Sequence, residues 1–221
     1  MIARLAREPY ERGDLDDDIP GEPLAKMELS SEVGAVEMPG LLTTASPYRR
    51  LIVVVATTGV FALLGSRFEG AEWQLAIAAM YAGALIICMA TDLLAYRVPN
   101  AVTYPAIVAS LAIGLALPDA NRLNVVGGGL LFGGLLFVPA LLTGGAMGMG
   151  DVKLAFFVGF ALGLTFGVVA LLVTAIAGGA IAIVLIVTRL RSRRDPIPYA
   201  PFIALGALYV LLVQGAAFVE R

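Results

Sequence analysis

Seven long apolar segments follow one another along this chain, and they constrain its fold more than any other feature. A helix needs about 20 mostly apolar residues to cross the hydrocarbon core of a membrane. Hydrophobic residues make up 59% of the sequence and charged residues only 14%, which is far from the balance of a soluble domain. The sequence therefore predicts an all-α, polytopic membrane protein with six core transmembrane helices and one additional N-terminal helix. The segments lie at about residues 51–65, 73–91, 101–117, 124–143, 152–167, 169–188 and 200–219.

The fifth and sixth segments have no polar break between them, so their boundary has to be inferred from length. One helix over residues 152–188 would measure about 55 Å at about 1.5 Å per residue, nearly twice the thickness of the hydrocarbon core. We therefore expect a tight hairpin near Gly163 to Gly167. The first segment is short, and the sequence leaves open whether residues 51–65 cross the membrane completely.

Glycine recurs in the fourth segment, where residues 127–134 read GGGLLFGG. Small residues at this spacing let two membrane helices approach each other closely. We therefore expect this stretch to serve helix packing.

The N-terminal part of the chain differs in charge from the rest. Residues 1–48 carry four basic and ten acidic residues, a net charge of −6, whereas residues 49–221 carry eleven basic and seven acidic residues, a net charge of +4. The first part lacks a basic stretch followed by an apolar run, so we do not expect it to be a signal peptide. We expect an acidic, disordered tail over 1–48, an extra transmembrane segment with its outer loop over 49–72, and the main membrane domain over 73–221.

Several kinds of chemistry are excluded by composition. The chain has no histidine and a single cysteine, Cys88, which lies inside an apolar run. A Ser-His-Asp or Cys-His catalytic site, an intrachain disulfide and a zinc site of cysteines and histidines therefore cannot form. Cys88 is expected to pack as a small apolar side chain.

Two aspartates, Asp92 and Asp151, are the carboxylates closest to the apolar segments on one side of the membrane. Asp92 directly follows the second segment, and Asp151 directly precedes the fifth. Two crossings lie between them, so both aspartates are expected at the same face of the membrane. An ionisable residue in such a place is a functional candidate. The alternative is helix capping, which suits Asp151 at a helix N-terminus but not Asp92 at a C-terminus, where the helix dipole disfavours negative charge.

A pair of aspartates can hydrolyse a peptide bond without a cofactor or a metal. Two carboxylates held close together share one proton. The ionised one takes a proton from water while the protonated one donates to the scissile carbonyl. Two carboxylates are also too few for a typical all-protein site for a divalent metal, so no metal or cofactor is expected.

Glycines precede the second aspartate, in the stretch GGAMGMGD. Gly144, Gly145, Gly148 and Gly150 add little steric bulk, so a substrate backbone could approach closely there. Gly-x-Gly-Asp alone is a weak pattern. At the mouth of a membrane helix, and with a second aspartate at the same face, it indicates a substrate-binding loop.

The distribution of basic residues predicts the orientation. Cytoplasmic loops of membrane proteins carry an excess of lysine and arginine, and the loop RLRSRRDPIP contains four arginines. Counting crossings from this loop puts eight basic residues on its side and three on the other. Asp92, Asp151 and the N-terminus are therefore predicted to be cytoplasmic, in a multi-pass protein of the cytoplasmic (inner) membrane.

Two motifs around these aspartates resemble those of the type IV prepilin and preflagellin peptidases, which are aspartyl membrane proteases of the Gly-x-Gly-Asp class. The first motif is DLLAYRVPNAVT at residues 92–103, and the second is GMGDVKL at residues 148–154. A weaker similarity lies in PYAPFIALG at residues 198–206. The resemblance covers about residues 73–219.

The resemblance implies a protease that removes the short basic leader from pilin-like precursors at the cytoplasmic face of the membrane. It implies prepilin or pseudopilin substrates, the lipid bilayer and other pilus assembly proteins as partners, and no nucleic acid. It also implies that Asp92 and Asp151 are the catalytic pair. The supporting motif residues would be Gly148, Gly150, Lys153, Pro99 and Asn100.

The chain differs from the long members of that family, which carry a cysteine-rich cytoplasmic insertion and also methylate the trimmed pilin. Here the loop between the first two segments is only SRFEGAE and the chain has one cysteine. The short architecture resembles the peptidases of tight-adherence (Flp-type) pilus systems or of archaea, and no methyltransferase activity is expected.

Two functions of other classes stay open. Membrane carboxylates also serve proton-coupled or cation transport, although transporter sites lie near the membrane midplane and often between inverted repeats, neither of which is apparent here. The chain could also be a non-catalytic membrane component of pilus assembly. A relative of presenilin or signal peptide peptidase is disfavoured, because the Tyr-Asp motif of those proteases is missing and Thr91 precedes Asp92.

Overall fold

The protein is described by a computed structural model that covers residues 47–117, 120–142, 148–188 and 198–215. The predicted acidic tail, residues 1–48, lies outside these residues apart from its last two positions. Gly144, Gly145 and the four arginines of the predicted cytoplasmic loop also lie outside them. The fold described below is that of the remaining chain.

Within the described residues the chain is entirely α-helical. Three helices, α2, α4 and the Met149–Leu185 part of α5, are long and apolar enough to cross a membrane, and three shorter apolar helices accompany them. This confirms the prediction of an all-α, polytopic membrane protein. The helices are α1 (Pro47–Arg67), α2 (Glu72–Ala95), α3 (Asn100–Ala116), α4 (Arg122–Leu142), α5 (Met149–Val187) and α6 (Ala200–Gln214).

Several helix ends differ from the predicted segments, among them the end of α2, the end of α6 and the start of α1, which lies at Pro47 and not at residue 51. Helix α2 continues to Ala95 where the sequence predicts an end at residue 91, because the apolar side chains persist through its last turn. Helix α6 ends at Gln214, since Gly215 follows with a φ of 54° that leaves the helical region, and positions 216–219 of the predicted segment lie outside the described residues. The first difference matters for the site, because it places Asp92 inside the last turn of α2.

Helix α5 is interrupted at Gly163, which has a non-helical φ of 70° and ψ of −178°. We call residues 149–162 its first arm and residues 164–187 its second arm. Asp151 on the first arm and Gly178 on the second both lie near Tyr199. A straight helix would separate these two positions by about 40 Å, so the chain turns back at Gly163, within the range predicted for the hairpin.

Glycines let the first arm of α5 lie directly against α4. A Cβ on Gly128 would overlap the backbone of Gly163 and Gly159, and one on Gly133 would overlap the ring of Phe156. Such close contact between backbones requires residues without side chains. The packing role predicted for this glycine-rich stretch is therefore confirmed.

Helix α6 lies at the centre of the helical assembly. Ten of its fifteen residues are buried, and it packs against α5, α2 and α1. Most of its buried side chains belong to the same apolar core as Tyr81 of α2 and Phe157 of α5, whose rings meet edge to face with centroids 5.6 Å apart. The start of α6 is thus held on several sides.

Candidate active site

Asp92 lies in the last turn of α2 and is only 6% exposed. Its Oδ2 accepts a hydrogen bond of 3.2 Å from the backbone N–H of Ala200, the first residue of α6. The C-terminal end of α2 disfavours a negative charge, whereas the N-terminal end of α6 favours one. Helix α6 therefore stabilises the negative charge of Asp92, whereas α2, the helix that carries this residue, does not.

The chain leaves α2 through an unusual backbone conformation at Tyr96. This residue has a φ of 51° and a ψ of 37°, and its N–H donates to the carbonyl of Asp92 at 2.9 Å. Left-handed conformations are uncommon for residues other than glycine and asparagine. The left-handed turn at Tyr96 follows the last residue of α2, Ala95, and begins the segment that leads to α3.

Asp151 lies in the first turn of α5, and its backbone N–H donates to the carbonyl of Gly148 at 3.1 Å. Its side-chain Oδ1 is buried and has no hydrogen-bond partner among the described residues. A buried carboxylate oxygen left without a partner is costly. Oδ1 therefore does not act as a helix cap, and it remains available to a proton, a water molecule or a substrate.

The two aspartates face one cleft of about 240 Å³. Asp151 lies close enough to Asp92 to interact with its charge. In the described part of the chain no three residues of the histidine, cysteine, aspartate and glutamate types come together as metal ligands. The residues that line the cleft are Asp92, Tyr96, Arg97, Val98, Asn100, Gly148, Gly150 and Asp151.

One wall of the cleft is formed by a direct contact between the two motifs. A Cβ placed on Gly150 would lie 2.8 Å from the Cβ of Val98, so position 150 has room for glycine only. A Cβ on Gly148 would lie 3.5 Å from Oδ2 of Asp151, which is an ordinary contact distance. Gly150 is therefore required by packing, whereas Gly148 leaves the backbone open beside the carboxylate.

Lys153 does not line the cleft but binds a residue that does. Its Nζ donates to Oδ1 of Asn100 at 2.9 Å and lies 4.7 Å from the centroid of the Tyr104 ring. A lysine over an aromatic face is attracted by the ring quadrupole. Lys153 thus joins the first turn of α5 to the first turn of α3.

Pro99, like Lys153, is a predicted supporting residue that does not line the cleft. It occupies the N-cap position of α3, with a φ of −73° and a ψ of 123°. Its carbonyl accepts hydrogen bonds from the N–H groups of Val102 and Thr103, both at 3.1 Å, and from the Thr103 hydroxyl at 3.0 Å. Pro99 and Thr103 therefore begin α3 and reach the cleft only through their neighbour Asn100.

The start of α6 is the part of the site that sequence reasoning missed. Ala200 contributes its backbone N–H to Asp92, and the adjacent Tyr199 lies beside Asp151. Burial raises the pKa of the Tyr199 phenol, and the charge of Asp151 raises it further. The stretch PYAPFIALG at residues 198–206 contains both residues, but nothing in its sequence indicates a contact with either aspartate.

An all-α membrane fold that brings aspartates from two separate helices into one glycine-walled cleft defines a membrane protein with a paired-carboxylate site. Residues 79–183 match the family model described as the type IV leader peptidase family. This part of the chain belongs to that family, and it contains both Asp92 and Asp151.

A curated relative supports the same assignment. The chain is 31% identical over 161 residues to the prepilin leader peptidase/N-methyltransferase of Bacillus subtilis (strain 168). The alignment includes 72% of this chain and spans 63% of the length of that relative. Among solved structures, none matches this chain.

Proposed function

We propose that this chain is an aspartyl endopeptidase that removes the short basic leader from type IV pilin-like precursors. The observation that carries the proposal is the placement of Asp92 and Asp151 in one cleft beside the backbone of Gly148 and Gly150. Membership of the matched region in the type IV leader peptidase family supports it. Such a cleft offers two acids and room for a peptide backbone, and it requires no other catalytic group.

The mechanism follows from the chemistry of a carboxylate pair. Asp92 and Asp151 share one proton, because two ionised carboxylates at close range repel each other. The ionised member takes a proton from a water molecule, and the resulting hydroxide attacks the scissile carbonyl carbon. The protonated member donates to the carbonyl oxygen. As the tetrahedral intermediate collapses, the carboxyl group that took the water proton donates it to the leaving amide nitrogen, and the other carboxylate takes a proton from a hydroxyl group of the intermediate, which releases the leader and the mature pilin.

The proposed substrate is an Flp-type or related precursor, and the proposed reaction takes place at the cytoplasmic face of the inner membrane. The short architecture of the chain supports an Flp-type substrate. The excess of basic residues on the side of both aspartates supports a reaction at the cytoplasmic face. The cleft lies at the end of α2 and the start of α5, which suits cleavage next to a substrate's membrane helix. Other pilus assembly proteins are proposed as further partners.

Cleavage of a pilin precursor by membranes that contain the wild type, Asp92→Asn or Asp151→Asn tests the proposal. Asparagine keeps the shape of the side chain but can neither accept nor donate the shared proton. Each variant is expected to lose cleavage by at least about a thousandfold, as for removal of a paired catalytic group. A matched control is Glu72→Gln, an exposed acid at the opposite end of α2.

The readout is the mobility shift of the pilin, with immunoblots that show equal amounts of each peptidase variant. If Asp92→Asn and Asp151→Asn still cut the precursor, the two-aspartate mechanism is wrong, and transport or a non-catalytic role becomes the better account. Mass spectrometry of the cleaved pilin addresses methylation separately. The N-terminus is expected without an added methyl group, because the chain lacks the cysteine-rich insertion of the bifunctional enzymes.

A further inference from the structure

Helix α6 contributes a contact to the site although it lines none of the cleft. The backbone N–H of Ala200 donates to Oδ2 of Asp92 across 108 positions of sequence, and both groups are buried. A hydrogen bond to a carboxylate in a buried place is strong, because it replaces solvation that the group has lost. This contact depends on where α6 begins relative to α2.

A buried hydroxyl on the second arm of α5 forms a hydrogen bond to α6. Thr174 is 0% exposed, and its Oγ1 shares its proton between the carbonyl of Ala170 at 2.8 Å and that of Phe202 at 3.1 Å. The first bond lies within its own helix, but the second crosses to α6. Hydrogen bonds of this kind hold membrane helices together, since the interior supplies no water to compete for them.

Gly206 brings α6 onto the same turn of α5. A Cβ on Gly206 would overlap both the Ala170 carbonyl oxygen and the Thr174 hydroxyl. The two helices therefore meet without a side chain between them, and α6 cannot slide along its axis without losing this fit. Phe202 and Gly206 lie one turn apart, so the contact fixes the first two turns of α6.

We propose that α6 is a third component of the active site, in which Ala200 N–H orients Asp92 and Thr174 holds α6 in the position that this requires. Both are positioning groups, and neither touches the substrate. The inference rests on the proposed peptidase function. It predicts that disturbing α6 lowers the rate of the chemical step while leaving substrate binding intact, because the cleft itself is lined by other elements.

The most direct test replaces the backbone N–H of residue 200, the donor to Asp92, by an oxygen atom. Incorporation of lactic acid at position 200 exchanges the backbone N–H for an ester oxygen and keeps the methyl side chain. We expect kcat to fall by about tenfold or more, as for the loss of one hydrogen bond to a charged group, with KM unchanged. The matched control is 2-hydroxyisovaleric acid at position 125, which removes the N–H that Val125 donates to the Asn121 carbonyl at 3.1 Å at the start of α4 and is expected to leave kcat near wild type.

A second test addresses the hydroxyl. Thr174→Val keeps the shape of the side chain and is expected to lower kcat by about fivefold, which corresponds to a cross-helix bond of modest strength. Thr174→Ser restores the hydroxyl and is expected to restore kcat. Thr165→Val is the control. The Thr165 hydroxyl also donates to a neighbouring helix, to Oδ1 of Asn124 at 3.1 Å, but this bond lies at the far end of the hairpin from both aspartates.

The outcomes separate this inference from the proposed function. If the ester at position 200 leaves kcat unchanged while Asp92→Asn is inactive, the inference is wrong and the two-aspartate function stands. If Asp92→Asn is active, the proposed function itself fails. If Thr174→Val and Thr165→Val lower kcat to the same extent, Thr174 has a general structural role, which overturns its assignment as a positioning residue.

Discussion

Lys153 and Asn100, 53 positions apart in the sequence, are joined by a hydrogen bond of 2.9 Å from Nζ to Oδ1. Asn100 lines the cleft and Lys153 stands behind it, against the ring of Tyr104. Lys153 itself is not among the residues that line the cleft with the two aspartates. It connects the beginnings of α3 and α5, and so holds the segment after Asp92 against the segment that carries Asp151.

Replacement of Lys153 is accordingly expected to act through the shape of the site. Lys153→Met removes a charged hydrogen bond and a cation–π contact, and we expect kcat to fall by about tenfold. Tyr104→Phe keeps the aromatic face and should have little effect, whereas Tyr104→Leu removes it and should weaken activity. Kinetics on purified variants measure both effects. Equal activity of Lys153→Met and wild type would contradict this role.

The contact between Gly150 and Val98 predicts a pair of compensating substitutions. Gly150→Ala introduces a Cβ 2.8 Å from that of Val98, which is expected to separate the two motifs and lower kcat by about tenfold or more. Val98→Gly removes that Cβ together with its methyl groups, so the double variant should recover part of the lost activity. Gly134→Ala is the control, because a Cβ at Gly134 would meet no atom within 4 Å.

Glycines on the two sides of α4 are expected to differ in their effect on stability. Gly128→Ala would place a methyl group on the backbone of the first arm of α5, which cannot give way as a side chain can. We expect a loss of about 1–3 kcal/mol or more in the free energy of unfolding. Gly127→Ala, whose Cβ would touch only Leu164 at 4.0 Å, should be nearly neutral. Thermal unfolding in detergent compares the two, and similar midpoints would show that the tight α4–α5 packing is wrong.

The environment of Tyr199 predicts a dependence of stability on alkaline pH. Its raised pKa, caused by burial and then by Asp151, means that the folded state holds the phenolic proton more tightly than the unfolded state does. The stability associated with this group is present below the ordinary value of about 10 and is lost as the pH rises through the higher folded value. Tyr199→Phe removes the phenol and with it this pH-dependent loss of stability. Unfolding midpoints between about pH 8 and 11 should therefore decline less steeply in the variant, and parallel curves would contradict the prediction.

Much of the membrane fold could be predicted because each helix is encoded by an uninterrupted apolar segment. The hairpin within α5 followed from a length that no single crossing accommodates, and the structure places its break at Gly163. Helix ends were less predictable. The end of α2 is set by the left-handed turn at Tyr96, which no glycine or proline marks in the sequence.

The site was predicted in part for a similar reason. Asp92 and Asp151 could be assigned to one face by counting crossings, and each lies beside a short local motif. The groups that contact these aspartates come from distant segments, and no local pattern in the sequence identifies them. Ala200 donates a backbone N–H, a group that every residue except proline possesses, so no residue type could identify it.

The sequence by itself therefore determined the membrane class, the helical segments and the pair of acidic residues, because burial of apolar side chains and charge near a membrane act on single segments. Only the tertiary structure decided that α6 meets Asp92, that Val98 meets Gly150 and that Lys153 binds Asn100. These contacts join segments tens of residues apart, and they exist only where closely packed helices fix the position of each backbone to within a fraction of an ångström.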